Sequence, residues 1–330
     1  MLLLLINACI YLFNVAFAYP LYLVFLYTIF KFRKEPIFSS AFYYFVFVCG
    51  LFDLLYTSNY YLLLYPAFLR IPAINQFYLS LSSRVATLTF YFFVFLRCGQ
   101  VILVFLISLN RFTCLVWPLR HDQIWTKKVV TVATIAAIGI PALLLVPAAA
   151  NRCYMTYFPH ENHPDDVSLR DHDNACLPAF VVHLSFPTLV VLLLIVLYPT
   201  MLARNNIYEA PAATTDEQKQ KRRTNVSLAV AWFVLSCSLA VTIALWWIFF
   251  TVFQFDNTVV EYVCMLCDSM FCLSNPVVLL MFGRKMRPYF WRTCKSLLCC
   301  RKKQSSAKTH QMPETPQNHV ADEIIIVQDV

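Results

Sequence analysis

Glycine is scarce in this sequence, with four in 330 residues, although membrane helices as a class carry more of it than soluble ones. Transporters use Gly and Pro to break their helices at the substrate site, so the shortage weighs against one. Charge is scarce too. Charged residues make up 13% of the chain against 60% hydrophobic, with a mean hydropathy of +0.62, whereas a soluble domain carries about 25% charged residues. That balance excludes a soluble globular domain and identifies an integral membrane protein. Histidine is nearly missing from the apolar segments: His183 is alone within one, and His121 stands alone near the inner surface. A membrane hydrolase needs metal ligands or a nucleophile and base gathered at one face, so neither an enzyme nor a metal or cofactor is expected.

Seven windows are long and apolar enough to cross a hydrocarbon core, near residues 8–30, 38–65, 86–110, 128–150, 178–203, 226–253 and 259–282. The expected fold is an all-α integral membrane protein, a seven-transmembrane helix bundle. Lys and Arg accumulate in cytoplasmic loops. With the N-terminus outside, the inner segments hold 21 of the 26 basic residues, which sets the orientation. The first apolar run, followed by Ala16, Phe17 and Ala18, resembles a signal peptide. No basic residue precedes it, however, and cleavage would leave six helices with the basic loops outside, so it is read as the first helix.

The seven-helix domain is expected over residues 1–303, with a disordered, polar cytoplasmic tail over 304–330. After the seventh helix, Met286, Phe290 and Leu297 with Arg287, Arg292 and Lys295 around them suggest a short amphipathic helix on the inner membrane surface over 286–300. Cys294, Cys299 and Cys300 are then placed for S-palmitoylation. Between the fifth and sixth helices, "TTDEQKQKRRTN" ends in a basic cluster that includes Arg222 and Arg223, which fits a helix extending into the cytosol. Membrane-surface anchoring explains the charge equally well.

Most of the thirteen cysteines fall in predicted helices, where Cys behaves as a small hydrophobe. Cys153 and Cys176 lie in the longest outside loop, where a disulfide can form; Cys9 is also near the outer surface. The same loop carries Glu161, Asp165, Asp166, Asp171 and Asp173 with His160, His163 and His172, and reads as a solvated acidic loop.

Ionisable groups at membrane depth are functional candidates. Asp53 in helix two, Arg97 in helix three and Asp268 in helix seven stand out. Arg97 and Arg111 are 14 residues apart, which places them within about 40° of one helix face and about 21 Å apart along it. Asp268 and Asn275 share a face of helix seven, and Pro276 removes a backbone hydrogen bond beside Asn275. One reading is a buried network in which Asp268 or Asp53 neutralises Arg97 and sets helix register. The other puts Arg97 in an outward-facing cavity, where it meets an anionic or polar ligand, with Asp268 as its partner when the site is empty. A channel or transporter using Asp53, Arg97 and Asp268 as an ion pathway is the rival function.

Seven helices, an Arg at the inner end of helix three, an Asp in mid helix two and "SNPVVLLMF" in helix seven resemble the rhodopsin-like G-protein-coupled receptors. Asn110, Arg111 and Phe112 stand where that family has an acidic-Arg-aromatic triplet, Asn275 and Pro276 match its helix-seven Asn-Pro, and Pro187 matches its helix-five proline. Departures are Asn110 for the acid, Leu279 for a tyrosine, no proline after Trp246 and Trp247, no tryptophan in helix four and no Cys opening helix three. "SLNRFTCLVWP" and "FSSAFYYFVFVCGLFDLL" are further similar to the nematode serpentine chemoreceptors of the gamma (Srg) superfamily, over residues 8–300. The resemblance implies a chemosensory receptor of the plasma membrane, in sensory neuron cilia. Such a receptor detects a small external molecule and couples through Asn110, Arg111, Arg222 and Arg223 to a heterotrimeric G protein, with membrane lipids around it. Within such a receptor, the charges read above place ligand contact at Arg97 and Asp268, and the proline kink places a conformational switch at Asp53, Asn275 and Pro276. The family's usual disulfide is not possible here, which favours the Cys153–Cys176 bridge.

Overall fold

The computed structural model describes residue 9 and residues 11–61, 72–159, 167–171, 175–207, 216–252, 258–283 and 285–306. The spans are α1 (Tyr11–Lys31), α2 (Ala41–Asn59), α3 (Ser83–Val116), α4 (Lys127–Ala150), α5 (Leu177–Ile207), α6 (Asp216–Thr251) and α7 (Thr258–Phe282). At 25 residues α7 is long enough to cross despite its Asp268. α8 (Arg287–Ser306) follows, turned 114° from α7, as a helix lying along the inner surface must be.

Burial orders these helices. Of the most apolar part of α3, 72% is buried inside the protein, against 22% for α4, so α3 is the central post and α4 lies at the lipid-facing rim. The apolar residues that stay exposed, such as Val132, Ile135 and Leu143 on α4 and Leu192 and Val196 on α5, face hydrocarbon and cost nothing there.

α3 runs past the apolar window near 86–110. Asn110 and Arg111 lie inside the helix, which runs on to Val116. It stops where Trp117 leaves the helical region (φ −130°, ψ 61°), because a residue before proline is disfavoured in the α conformation. α4 is interrupted at Leu145, between Pro141 inside the helix and Pro147 near the start of its last turns. Thr126 caps its start by accepting from the Val129 amide at 3.4 Å.

Two glycines permit close approach. A Cβ on Gly50 would stand 2.6 Å from Leu26 and 3.0 Å from Tyr22, so its absence lets α1 close on α2. A Cβ on Gly99 would stand 2.3 Å from the Phe52 ring and 3.2 Å from the Ala137 carbonyl oxygen, where α2, α3 and α4 meet. Gly99→Ala is expected to destabilise the bundle by about 1–3 kcal/mol through overpacking. The check is a lowered unfolding temperature in detergent, with Gly139→Ala, which meets open space, as the neutral control.

The long outside loop contains a hairpin that the helix-only pattern does not reveal: β1 (Met155–Pro159) pairs antiparallel with β2 (Val167–Asp171). A Cys153–Cys176 disulfide closes the segment at its base. The hairpin is held to α3 by hydrogen bonds, with the Met155 amide donating to Thr87 Oγ1 at 2.9 Å. Cys153→Ser removes a closure over a sequence separation of 23 residues, so it is expected to cost about 3 kcal/mol. Limited proteolysis of the loop would read this, and a cleavage rate equal to wild type would refute it. The acidic and histidine residues at 160–166 and 172–174, and the tail from 307, lie outside the described residues.

Candidate functional site: a buried polar network along the central helix

Helical spacing along α3 places Arg97, Gln100, Asn110 and Arg111 in the bundle interior, and all four are buried. In the middle of the bundle Arg97 Nη2 pairs with Asp268 Oδ1 at 2.8 Å, while Arg97 Nη1 donates to Gln100 Oε1 at 3.0 Å. Asp268 also accepts from the Tyr56 hydroxyl and from Trp246 Nε1, both at 2.9 Å. The guanidinium lies near the faces of Tyr56 (5.7 Å) and Phe271 (5.4 Å). Of the two acids that the sequence offered Arg97, the structure joins it directly to Asp268. Arg97 is 1% exposed, so it is enclosed within the bundle.

Asp53 is reached through a neutral amide. Gln100 Nε2 donates to Asp53 Oδ1, while the Tyr22 hydroxyl and Asn275 Nδ2 donate to Asp53 Oδ2. The three donors come from α3, α1 and α7, so one carboxylate joins three helices to α2. Gln100 holds the two clusters together, because its oxygen faces Arg97 and its nitrogen faces Asp53. A search for charge passes over Gln100 and Tyr22; the only signal for Gln100 in sequence is an amide three residues after Arg97, set in an apolar run.

Above the ion pair, His183 of α5 is 6% exposed, and its Nδ1 has no hydrogen-bond partner among the described residues. Its ring lies 4.9 Å from Phe93 and 5.8 Å, edge on, from Trp246. Trp246 therefore touches both His183 and Asp268.

At the inner end, no carboxylate among the described residues pairs with Arg111. Its Nη2 donates to Asn110 Oδ1 at 3.1 Å, and its Nε and the Asn110 Nδ2 are buried without partners among the described residues. Its guanidinium lies 3.8 Å over the Phe42 ring of α2. Thr113, a turn below Asn110, binds the second inner loop back to α3: its hydroxyl accepts from Trp125 Nε1 at 2.7 Å and meets His121 Nδ1 at 3.1 Å. Burial, and next the nearby Arg111 charge, hold the His121 imidazole below its ordinary range, while Asp122 opposes them. Leu279 fills the tyrosine position of helix seven as a buried apolar contact.

Around α8, Arg287 donates from Nε to the Leu280 carbonyl at 2.6 Å and from Nη2 to that of Met281, capping the end of α7. Met286 and Phe290 are buried, whereas Leu297 is exposed. Cys294 is partly covered, and burial raises its thiol above its ordinary range. The side chains of Arg222, Arg223, Cys299 and Cys300 lie outside the described residues.

The family model for the serpentine type 7TM GPCR chemoreceptor Srv matches residues 11–296. The crystal structure of squid rhodopsin is similar in fold, with a TM-score of 0.65 over 93% of this chain and 93% of that one, at 11% sequence identity. No curated protein sequence matches the chain. The gamma-class (Srg) expectation is thereby corrected to Srv, a different family of the same superfamily.

Proposed function

We propose that this chain, which belongs to the Srv family of serpentine 7TM G-protein-coupled chemoreceptors, detects a small external molecule in the outer half of its bundle and activates a heterotrimeric G protein at the inner end. The observation that carries the reading is that one buried helix, α3, carries both Arg97, paired with Asp268 of α7, and Arg111, which has no carboxylate partner among the described residues. A change at the first displaces the post that carries the second.

The ligand meets the floor formed by Arg97 and Asp268 together with Trp246 and His183. Asp268 already accepts from three donors, so an anionic ligand would have to break a complete arrangement. An uncharged molecule that bonds to His183 Nδ1 and shifts Trp246 needs no such exchange. Asp53, Asn275 and Pro276 form the switch, since movement of α7 at its proline must remake the Asn275–Asp53 bond. Asn110 and Arg111, with Arg222 and Arg223, form the coupling face. The receptor resides in the plasma membrane of sensory neuron cilia, with Cys294, Cys299 and Cys300 as acylation sites beside the lipid.

The test is nucleotide exchange on a heterotrimeric G protein in membranes containing wild type or Arg111→Ala, first without ligand and then with a panel of neutral and acidic metabolites. Loss of signal in Arg111→Ala at unchanged surface density is the expected outcome. An ion current through the wild type with no exchange would overturn the reading.

A further inference from the structure

We infer that Phe42 is the positioning residue for Arg111, its aromatic face holding the guanidinium in the resting state in place of a carboxylate. This rests on the receptor reading above. The Phe42 ring, 1% exposed at the inner end of α2, lies 3.8 Å from the Arg111 guanidinium. No acid of the described residues reaches Arg111, its Nε is unpartnered, and its one side-chain hydrogen bond goes to the neighbouring Asn110.

A guanidinium so poorly supplied with acceptors gains most from a ring face, because the attraction between cation and ring quadrupole grows when both are desolvated. The ring is held in turn. Trp232 of α6 stands edge on to it at 6.4 Å and 88°, and Tyr43 does so at 5.0 Å and 77°. Phe42 of α2 thus joins Arg111 of α3 to Trp232 of α6. Any displacement of α6 that removes this edge contact loosens the ring and frees Arg111 to turn toward another acceptor.

Such a hold differs from an ionic one. It needs no acid at position 110, and burial keeps it from being screened by salt as a surface contact would be. Its strength corresponds to a shift of about 2- to 30-fold in the resting equilibrium.

The experiment compares wild type, Phe42→Leu, Phe42→Tyr, Arg111→Ala and the double variant Phe42→Leu/Arg111→Ala. Ligand-free nucleotide exchange on the G protein is read in membranes, and the unfolding temperature is read on the full chain in detergent. Leu keeps the bulk and removes the π face; Tyr keeps the face. Phe42→Leu is expected to raise basal exchange several-fold and Phe42→Tyr to restore the wild-type level. In the unfolding series, Phe42→Leu is expected to lower the midpoint more in the Arg111 background than in Arg111→Ala, where only its packing on Trp232 and Tyr43 is lost.

Basal exchange that is equal in Phe42→Leu and Phe42→Tyr would overturn the inference. So would unfolding shifts of the two single variants that simply add. The unfolding series needs no G protein. If the wild type activates none, the receptor reading fails while the Phe42–Arg111 contact is still decided.

Discussion

Asp268→Asn is expected to lower the stability of the bundle by about 3–5 kcal/mol, because it leaves the Arg97 guanidinium buried without its counter-charge. Arg97 and Asp268 are both almost fully buried, and the nearest other carboxylate, Asp53, is already engaged through Gln100. A polar side chain of similar shape therefore cannot make good the loss. The companion Arg97→Met/Asp268→Asn removes the stranded charge while the asparagine oxygen still accepts from Trp246 and Tyr56. It is expected to recover much of the difference. Unfolding temperature in detergent and surface density in cells measure both, and a double variant less stable than Asp268→Asn alone would refute the pairing. The sign of this comparison distinguishes an ion pair from two residues that each happen to be important.

The second large effect falls on Asp53. Asp53→Ala leaves the Tyr22 hydroxyl and the Asn275 amide as buried donors stripped of this acceptor, while the Gln100 amide keeps only Cys272 Sγ at 3.2 Å. At about 1–3 kcal/mol for each unsatisfied group, the cost is expected to reach about 2–6 kcal/mol. Asp53→Asn keeps one acceptor oxygen but turns an amide toward a ring of donors, so an intermediate loss is expected. If Ala and Asn were equivalent, the hydrogen bonds would not be what Asp53 contributes. Tyr22→Phe in the wild-type background should cost less than either, since it removes a single donor and leaves the carboxylate to Gln100 and Asn275.

Both effects lie on residues that stand out in the sequence, while their partners do not. A charge at membrane depth is conspicuous because lipid cannot solvate it, and helical spacing tells which face it takes. Spacing within one helix cannot tell which other helix comes opposite. Asp53 and Asp268 were therefore equal candidates for Arg97 until α7 was seen to bring Asp268 within 2.8 Å. Gln100 carries no charge, and Phe42 is one of 29 phenylalanines. Neither shows its role without its neighbours. The apolar window near 86–110 stops where hydropathy falls at Asn110 and Arg111, but the helix runs on to Val116 because both side chains are buried in the bundle.

The sequence by itself determined the medium, the number of crossings and their direction, because the free energy of an apolar helix in hydrocarbon and the bias of basic loops depend on local composition alone. It also determined that three charges must face inward. Only the tertiary structure decided that Asp268 pairs with Arg97, that Gln100 links the pair to Asp53, and that an aromatic ring stands where an acid would hold Arg111. Those outcomes depend on how helices distant in the chain are rotated and spaced against one another, which is set by packing of the whole bundle, including the close approaches at Gly50 and Gly99.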